Sequence, residues 1–166
     1  ALPIFENLGI DSHRLVHAGA RNSSVFRESG VTASDGILRL GHVSDGELRS
    51  LYENALAFIF PSRYEGFGIP PLEAMALGCP VVSSRGGSLP EVLGDAALFV
   101  DPDDLDQFSA TLAALIADDA MRDRMVRAGK DRAAQFTWRT AVDQFDGIIR
   151  DFIASYGDRV RVQGQS

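Results

Sequence analysis

The sequence predicts an α/β fold in which a single parallel sheet is wound on both sides by helices, and three observations carry that expectation. Short apolar runs at 14–18, 36–40, 56–60, 80–83 and 96–100 alternate with stretches of helical periodicity. The run at 56–60 is apolar throughout, as suits a strand covered on both faces; a half-solvated strand would alternate. Glycine-bearing loops at 19–22, 41–43, 62–69 and 85–88 each follow one of these runs. In such sheets crossovers are right-handed and ligands lie beyond the carboxyl ends of the strands, so the four loops are expected to line one crevice.

The elements follow in order. Residues 2–8 read as the tail of a helix ending at Gly9, so the domain, placed at 1–155, is expected to be truncated at its N-terminus. A strand at 14–18, one or two helical turns at 23–29 and a strand at 36–40 come next. Ser44 and Glu47 form the S-x-x-E pattern of a capping box, and Leu48, Leu51, Tyr52 and Ala55 recur at helical spacing behind it. After the strand at 56–60 a helix is expected at 70–77, then a strand at 80–83, a short helix at 89–93 and a strand at 96–100.

Residues 101–104 supply caps for a helix that carries Leu105, Phe108, Leu112, Leu115 and Ile116 along one face. The next helix, at 120–128, is expected to be closed by Gly129, and Thr137 to cap the last. The stripe of that last helix, with Trp138, Phe145, Ile149 and Phe152, is read as core, so the chain is expected to close around one sheet as a monomer. Residues 156–166 are polar and are expected to fray.

At 166 residues and 45% hydrophobic the chain can bury one core and is too short for two ordinary ones. The net charge of −7 argues against a nucleic-acid surface, which shows a basic footprint. No apolar run approaches the ~20 residues that span a bilayer. Cys79 is the only cysteine, set between Gly78 and Pro80, and reads as a packed small residue rather than a nucleophile. These features suit a soluble cytoplasmic chain. His13, His17 and His42 lack metal-ligand spacing, so no metal is expected.

The stretch 61–91, P-S-R-Y-E-G-F-G-I-P-P-L-E-A-M-A-L-G-C-P-V-V-S-S-R-G-G-S-L-P-E, holds the densest set of signals. Pro70 and Pro71 suit a first helical turn, so the helix starts close to Ile69. Gly66 and Gly68 are expected to take positive φ and to bring the loop backbone close to a ligand. The amides of Gly68, Ile69 and Leu72 then form a small anion cradle at the helix end. Glu65 before the loop and Glu73, expected in the first helical turn, can face the same crevice. Taken singly, Glu65 also reads as a solvated loop acid and Glu73 as a complement to the helix dipole. Arg63 and Arg85 could meet phosphate or stand as surface arginines, and Gly86 and Gly87 could contact ligand or form a tight turn.

E-G-F-G-I-P-P-L-E at 65–73, followed by A-M-A-L-G-C-P-V-V and G-G-S-L-P-E, resembles the donor-binding half of retaining glycosyltransferases of the GT-B architecture, in the large family four. The resemblance runs from about Leu15 to Phe152. It implies a Rossmann-like sheet, one half of a GT-B enzyme, and a ligand that is a UDP- or GDP-linked sugar. Glu73 would then hold the ribose hydroxyls, and Glu65, with the amides of Phe67 and Gly68, would address the transferred sugar. Gly68 and Ile69 would touch the diphosphate, and the backbone of His42 and Val43 would lie beside the base. Gly19 and Gly66 join the substrate-binding set, with Glu65 as the catalytic residue. No cofactor is implied.

Stabilisation of the leaving diphosphate in that family usually comes from an arginine and a lysine on a loop after the first strand. Lys130 is the sole lysine here and lies in the later helical region. The resemblance thus implies a partner, an N-terminal acceptor-binding domain, and a hexosyltransferase inactive as this fragment alone. Membrane contact would arise only peripherally, through the full-length enzyme. Rival readings are a non-catalytic nucleotide-sugar sensor or assembly module, a nucleotide-sugar epimerase lobe and a phospho-receiver. The receiver would need an acidic cluster after its first strand and a lysine after a late one, and neither is present.

Overall fold

A computed structural model describes residues 13–19 and 37–163, without the side chains of 157–163. The helical segments expected at 2–8 and 23–29 lie outside the described residues. Two compact units are present, Ala1–Ala133 and Ala134–Ser166.

In the first unit the described strands are β1 (Leu15–Ala18), β2 (Ile37–Gly41), β3 (Phe58–Phe60), β4 (Val81–Ser83) and β5 (Ala97–Phe99). All pairings are parallel, as expected. The ladders fall into two groups, β1–β2 and β3–β4–β5, where one continuous sheet was expected. Leu15 pairs with Ile37, while Phe58 pairs with Val81 and Val81 with Ala97.

Alternation along β3, β4 and β5 sends side chains into two separate cores, one on each face. Phe58, Phe60, Val81, Ala97 and Phe99 join a cluster with Tyr52, Leu72, Met75, Leu89 and Leu93. Ile59, Val82 and Leu98 join another with Phe108, Leu112, Leu115, Met121 and Met125. The first core is covered by α1 (Asp45–Asn54), α2 (Ile69–Ala76) and α3 (Leu89–Leu93), the second by α4 (Leu105–Ala117) and α5 (Asp119–Ala133). This is why Phe58, Ile59 and Phe60 are all apolar; Leu56 and Ala57, ahead of the strand, both pack against the second core.

The capping box forms: the Glu47 amide donates to Ser44 Oγ at 3.4 Å, and the Ser44 amide donates to Glu47 Oε2 at 2.8 Å. Asp104 caps α4 through the Gln107 amide at 2.9 Å. Gly129 does not close its helix, which continues to Ala133. It is buried inside α5, and a Cβ there would lie 3.2 Å from Met75 Cγ. The glycine marks a close crossing of α5 over α2, a tertiary reason that local sequence does not display.

In the second unit α6 (Trp138–Gln163) is capped by Thr137, whose Oγ1 accepts from the Thr140 amide at 3.0 Å. The helix extends past the point where fraying was expected. Its stripe is not core: Trp138 is 89% exposed, and Phe145, Ile149 and Phe152 are exposed as well.

Candidate functional site

The carboxyl ends of the described strands carry the loops that the sequence singled out, except that residues 20–22 of the loop at 19–22 lie outside the described residues. After β1 and β2, Gly19 takes a φ of 142° and its amide donates to the Gly41 carbonyl at 2.7 Å. His42 is exposed and Val43 half-buried, directly ahead of the cap of α1. The Glu47 carboxylate is held below its usual value, first by the Ser44 amide, then by the Ser44 hydroxyl, with the His42 charge a minor contribution.

The loop after β3 is tied to the loop after β4 through its backbone. Ser84, itself buried, donates its amide to Phe60 O at 3.2 Å and its hydroxyl to Ser62 O. Ser88 donates both its amide and its hydroxyl to Glu65 O, each at 3.2 Å. Ser62 Oγ donates to Tyr64 O at 3.2 Å. Gly86 and Gly87 are needed for this approach. A Cβ on Gly86 would lie 2.6 Å from the Ser62 and Arg63 carbonyl oxygens, and one on Gly87, whose φ is +61°, would press on the Glu65 backbone. Their role is structural, a close backbone contact that carries the Glu65 loop. Ser84 and Ser88 were missed in the sequence, although two serines bracketing a glycine pair just after a strand were the available signal.

Beyond Glu65 the loop opens. Gly66 does not take positive φ, contrary to expectation, and nothing lies within 4 Å of where its Cβ would be. Phe67 and Ile69 are exposed. Gly68 is buried at φ 99° and ψ 49°, and a Cβ there would sit 2.7 Å from Leu89 Cδ2. It caps α2 with no side-chain hydrogen bond to the helix amides.

The cradle is smaller than the sequence suggested, because the Leu72 amide turns inward to Gly68 O at 3.5 Å. Gly68 and Ile69 remain at the head of a helix whose next two residues, Pro70 and Pro71, have no N–H. The electrostatics of this end favour an anion.

Glu73 is exposed and lies one turn later than expected, since α2 has no acid in its first turn. The dipole effect fades within that turn, so dipole complementation gives little reason for an acid at this place. Glu73 nevertheless acts on its surroundings. The Tyr52 phenol is pushed up to about 12, first by burial and next by the Glu73 charge.

Arg63 forms a two-pronged pair with Asp103 at 2.9 and 2.5 Å, both side chains being exposed. The Arg85 guanidinium stands 4.6 Å from the Phe99 ring centroid. A depression at the start of α4 is lined by Asp101, Asp103, Asp104 and Asp106, whose carboxylates would repel a diphosphate. Cys79 is buried and its thiol is pushed up to about 12 by desolvation, in keeping with a packed residue. Among the described residues no three His, Cys, Asp or Glu side chains converge as a metal site would need. No described helix is long and apolar enough to cross a membrane.

The sequence profile of glycosyl transferases group 1 matches residues 14–132, which takes in every one of these loops. The chain belongs to that family. It is 48% identical over 105 residues to O-antigen chain mannosyltransferase B of Escherichia coli, covering 63% of this chain and 28% of that protein. It is also 39% identical over 116 residues to the MMP alpha-(1->4)-mannosyltransferase of Mycolicibacterium hassiacum, covering 68% of this chain and 28% of the other. The chain thus spans less than a third of the length of these relatives.

Among solved structures, sucrose-phosphate synthase from Thermosynechococcus elongatus superposes with a TM-score of 0.73 at 24% identity, over 92% of this chain and 42% of that one. The C-terminal domain of a glycosyl transferase group 1 family protein from Francisella tularensis superposes with a TM-score of 0.55 at 28% identity, over 68% and 58% of the two chains. The fold of this group 1 chain is that of a C-terminal GT-B domain.

Proposed function

We propose that this domain binds the nucleotide-sugar donor of a retaining hexosyltransferase, with mannose as the transferred sugar. The names of the two mannosyltransferase relatives support that choice of sugar. The observation that carries the reading is the head of α2, with Gly68 in left-handed conformation, no side-chain cap and open space at Gly66, next to a pinned Glu65. A diphosphate accepts hydrogen bonds from such amides and is favoured by the dipole.

In this reading the Gly68 and Ile69 amides hold the diphosphate, and Glu73, one turn down the same helix, accepts from both ribose hydroxyls. A carboxylate does so without needing a proton of its own. Glu65, with the Phe67 and Gly68 amides, orients the hexose, and the backbone at His42 and Val43 flanks the base, with Gly19 beside it. Arg63 pairs with Asp103 on the surface and Lys130 lies on α5, so among the described residues the amides at the head of α2 are the main support offered to the leaving diphosphate. Transfer then requires a second, acceptor-binding lobe, and the isolated chain binds donor without turning it over.

A thermal-shift panel of GDP, UDP and their hexose conjugates tests the reading. The expected result is stabilisation by at least one nucleoside diphosphate, greater than by its monophosphate, with no sugar released to an added acceptor. A chain whose melting temperature ignores all of them would contradict donor binding.

A further inference from the structure

Three hydroxyl side chains are buried among the described residues, and two of them are satisfied. Ser83 Oγ lies within hydrogen-bond distance of Phe60 O and Ser84 O, and Ser84 donates to Ser62 O. The third, Tyr52, is 6% exposed, and its hydroxyl makes no hydrogen bond to any described residue. Buried polar groups are rarely left so, because an unmade bond costs more than an average bond contributes. Packing accounts for the ring, which stands edge-on to Phe58 with centroids 5.1 Å apart, a contact that phenylalanine would make equally well. Only the hydroxyl needs another reason.

The place of Tyr52 in the fold supplies one. It stands on α1, whose cap follows His42 and Val43 directly, and joins the core that Leu72 and Met75 of α2 also fill. Glu73 lies between those two residues in sequence and is exposed. Burial first, and then the Glu73 charge, keep the Tyr52 phenol protonated at neutral pH, so it is a donor there. The other ionisable group that acts on it, Cys79, is a thiol and only a weak acceptor. An ionised carboxylate has about four lone-pair sites, so it can accept from a phenol behind it and from two ribose hydroxyls in front. An exposed glutamate gives up side-chain freedom when it binds, and a fixed donor at its back reduces that loss.

We propose that Tyr52 is a positioning residue for Glu73: its hydroxyl donates to one carboxylate oxygen as the ribose of a nucleotide engages the group. The inference rests on the reading of Glu73 as the ribose acceptor.

Calorimetric titration of the full chain with GDP and UDP, and with their 2′,3′-dideoxy forms, tests it on the wild type, Tyr52→Phe, Glu73→Gln and the double variant. For whichever nucleotide binds, Tyr52→Phe should lower the affinity by ~3–10-fold, the range of one ordinary hydrogen bond. The same substitution should change nothing for the dideoxy ligand or in the Glu73→Gln background. Tyrosine Cζ resonances give a second readout, since the chain has three tyrosines and each is assigned by its phenylalanine variant. At saturating nucleotide the Tyr52 signal should move in the wild type and stay in Glu73→Gln. Unchanged affinity in Tyr52→Phe, or a Tyr52 signal that ignores the nucleotide, overturns the inference and leaves donor binding standing. So does a loss that is equal for the dideoxy ligand or without the Glu73 carboxylate, which would make Tyr52 a packing residue only. A wild type that binds neither nucleotide sinks donor binding, and this inference with it.

Discussion

The two arms of the loop between β3 and α2 are built in opposite ways. The first, 61–65, is fastened along its backbone to the neighbouring loop by Ser84, Ser88 and the two glycines that let the strands of chain touch. The second, 66–69, has empty space at Gly66, exposed side chains at Phe67 and Ile69, and an uncapped helix head. The difference teaches a division of labour: the rigid arm positions Glu65, and the open arm ends in a helix head that no side chain caps, where an anion is favoured.

Substitution of glycine should separate the arms most sharply. Gly87→Val adds strain at positive φ and a collision with the Glu65 backbone, and should cost about 3–5 kcal/mol in urea unfolding. Gly66→Ala fills open space at ordinary φ and should change stability by less than about 0.5 kcal/mol while weakening nucleotide binding. Equal stability losses at the two sites would erase the distinction.

A smaller effect is expected at Ser84. Ser84→Ala removes the hydroxyl that satisfies Ser62 O at a buried position, for a loss of about 1–3 kcal/mol by denaturant titration. An unchanged midpoint would mean that the first arm is held by the glycine contact alone.

The smallest effect should appear at the cap of α1. Because the folded Glu47 carboxyl is depressed below 4.5, its contribution is fully present above the unfolded value and is lost as pH falls through the folded one. Glu47→Gln should lower stability at neutral pH and flatten the acid limb of the stability profile. A profile that keeps its slope in the variant would assign that limb to other carboxylates.

Much of this could be read in the sequence, and the misses have a common cause. The capping box, the Pro70–Pro71 helix start and the unbroken apolar strand are signals contained within a few neighbouring residues, and each appears, although the strand expected at 56–60 is confined to Phe58–Phe60. Gly129, Gly86 and Gly87 are glycines whose reason lies in another segment, respectively Met75 and the 62–65 backbone, so a local reading gives them the wrong or an undecided role. The stripe on α6 is legible as amphipathic, but periodicity states only that a face is apolar, not what covers it. For the site, residue spacing placed Glu65 and Glu73 on one loop-helix unit. It did not show that Arg63 pairs with Asp103, because that pairing spans forty positions.

The measurement closest to the central claim is a calorimetric cycle on Glu73. The wild type and Glu73→Gln are titrated with the better-binding nucleoside diphosphate and with its 2′,3′-dideoxy form. If the carboxylate holds the ribose, the substitution weakens the natural ligand by roughly 1.5–3 kcal/mol, the dideoxy ligand loses a similar amount against the wild type, and the variant barely distinguishes the two. Losses that simply add, or an affinity indifferent to the substitution, would show that Glu73 and the ribose do not meet.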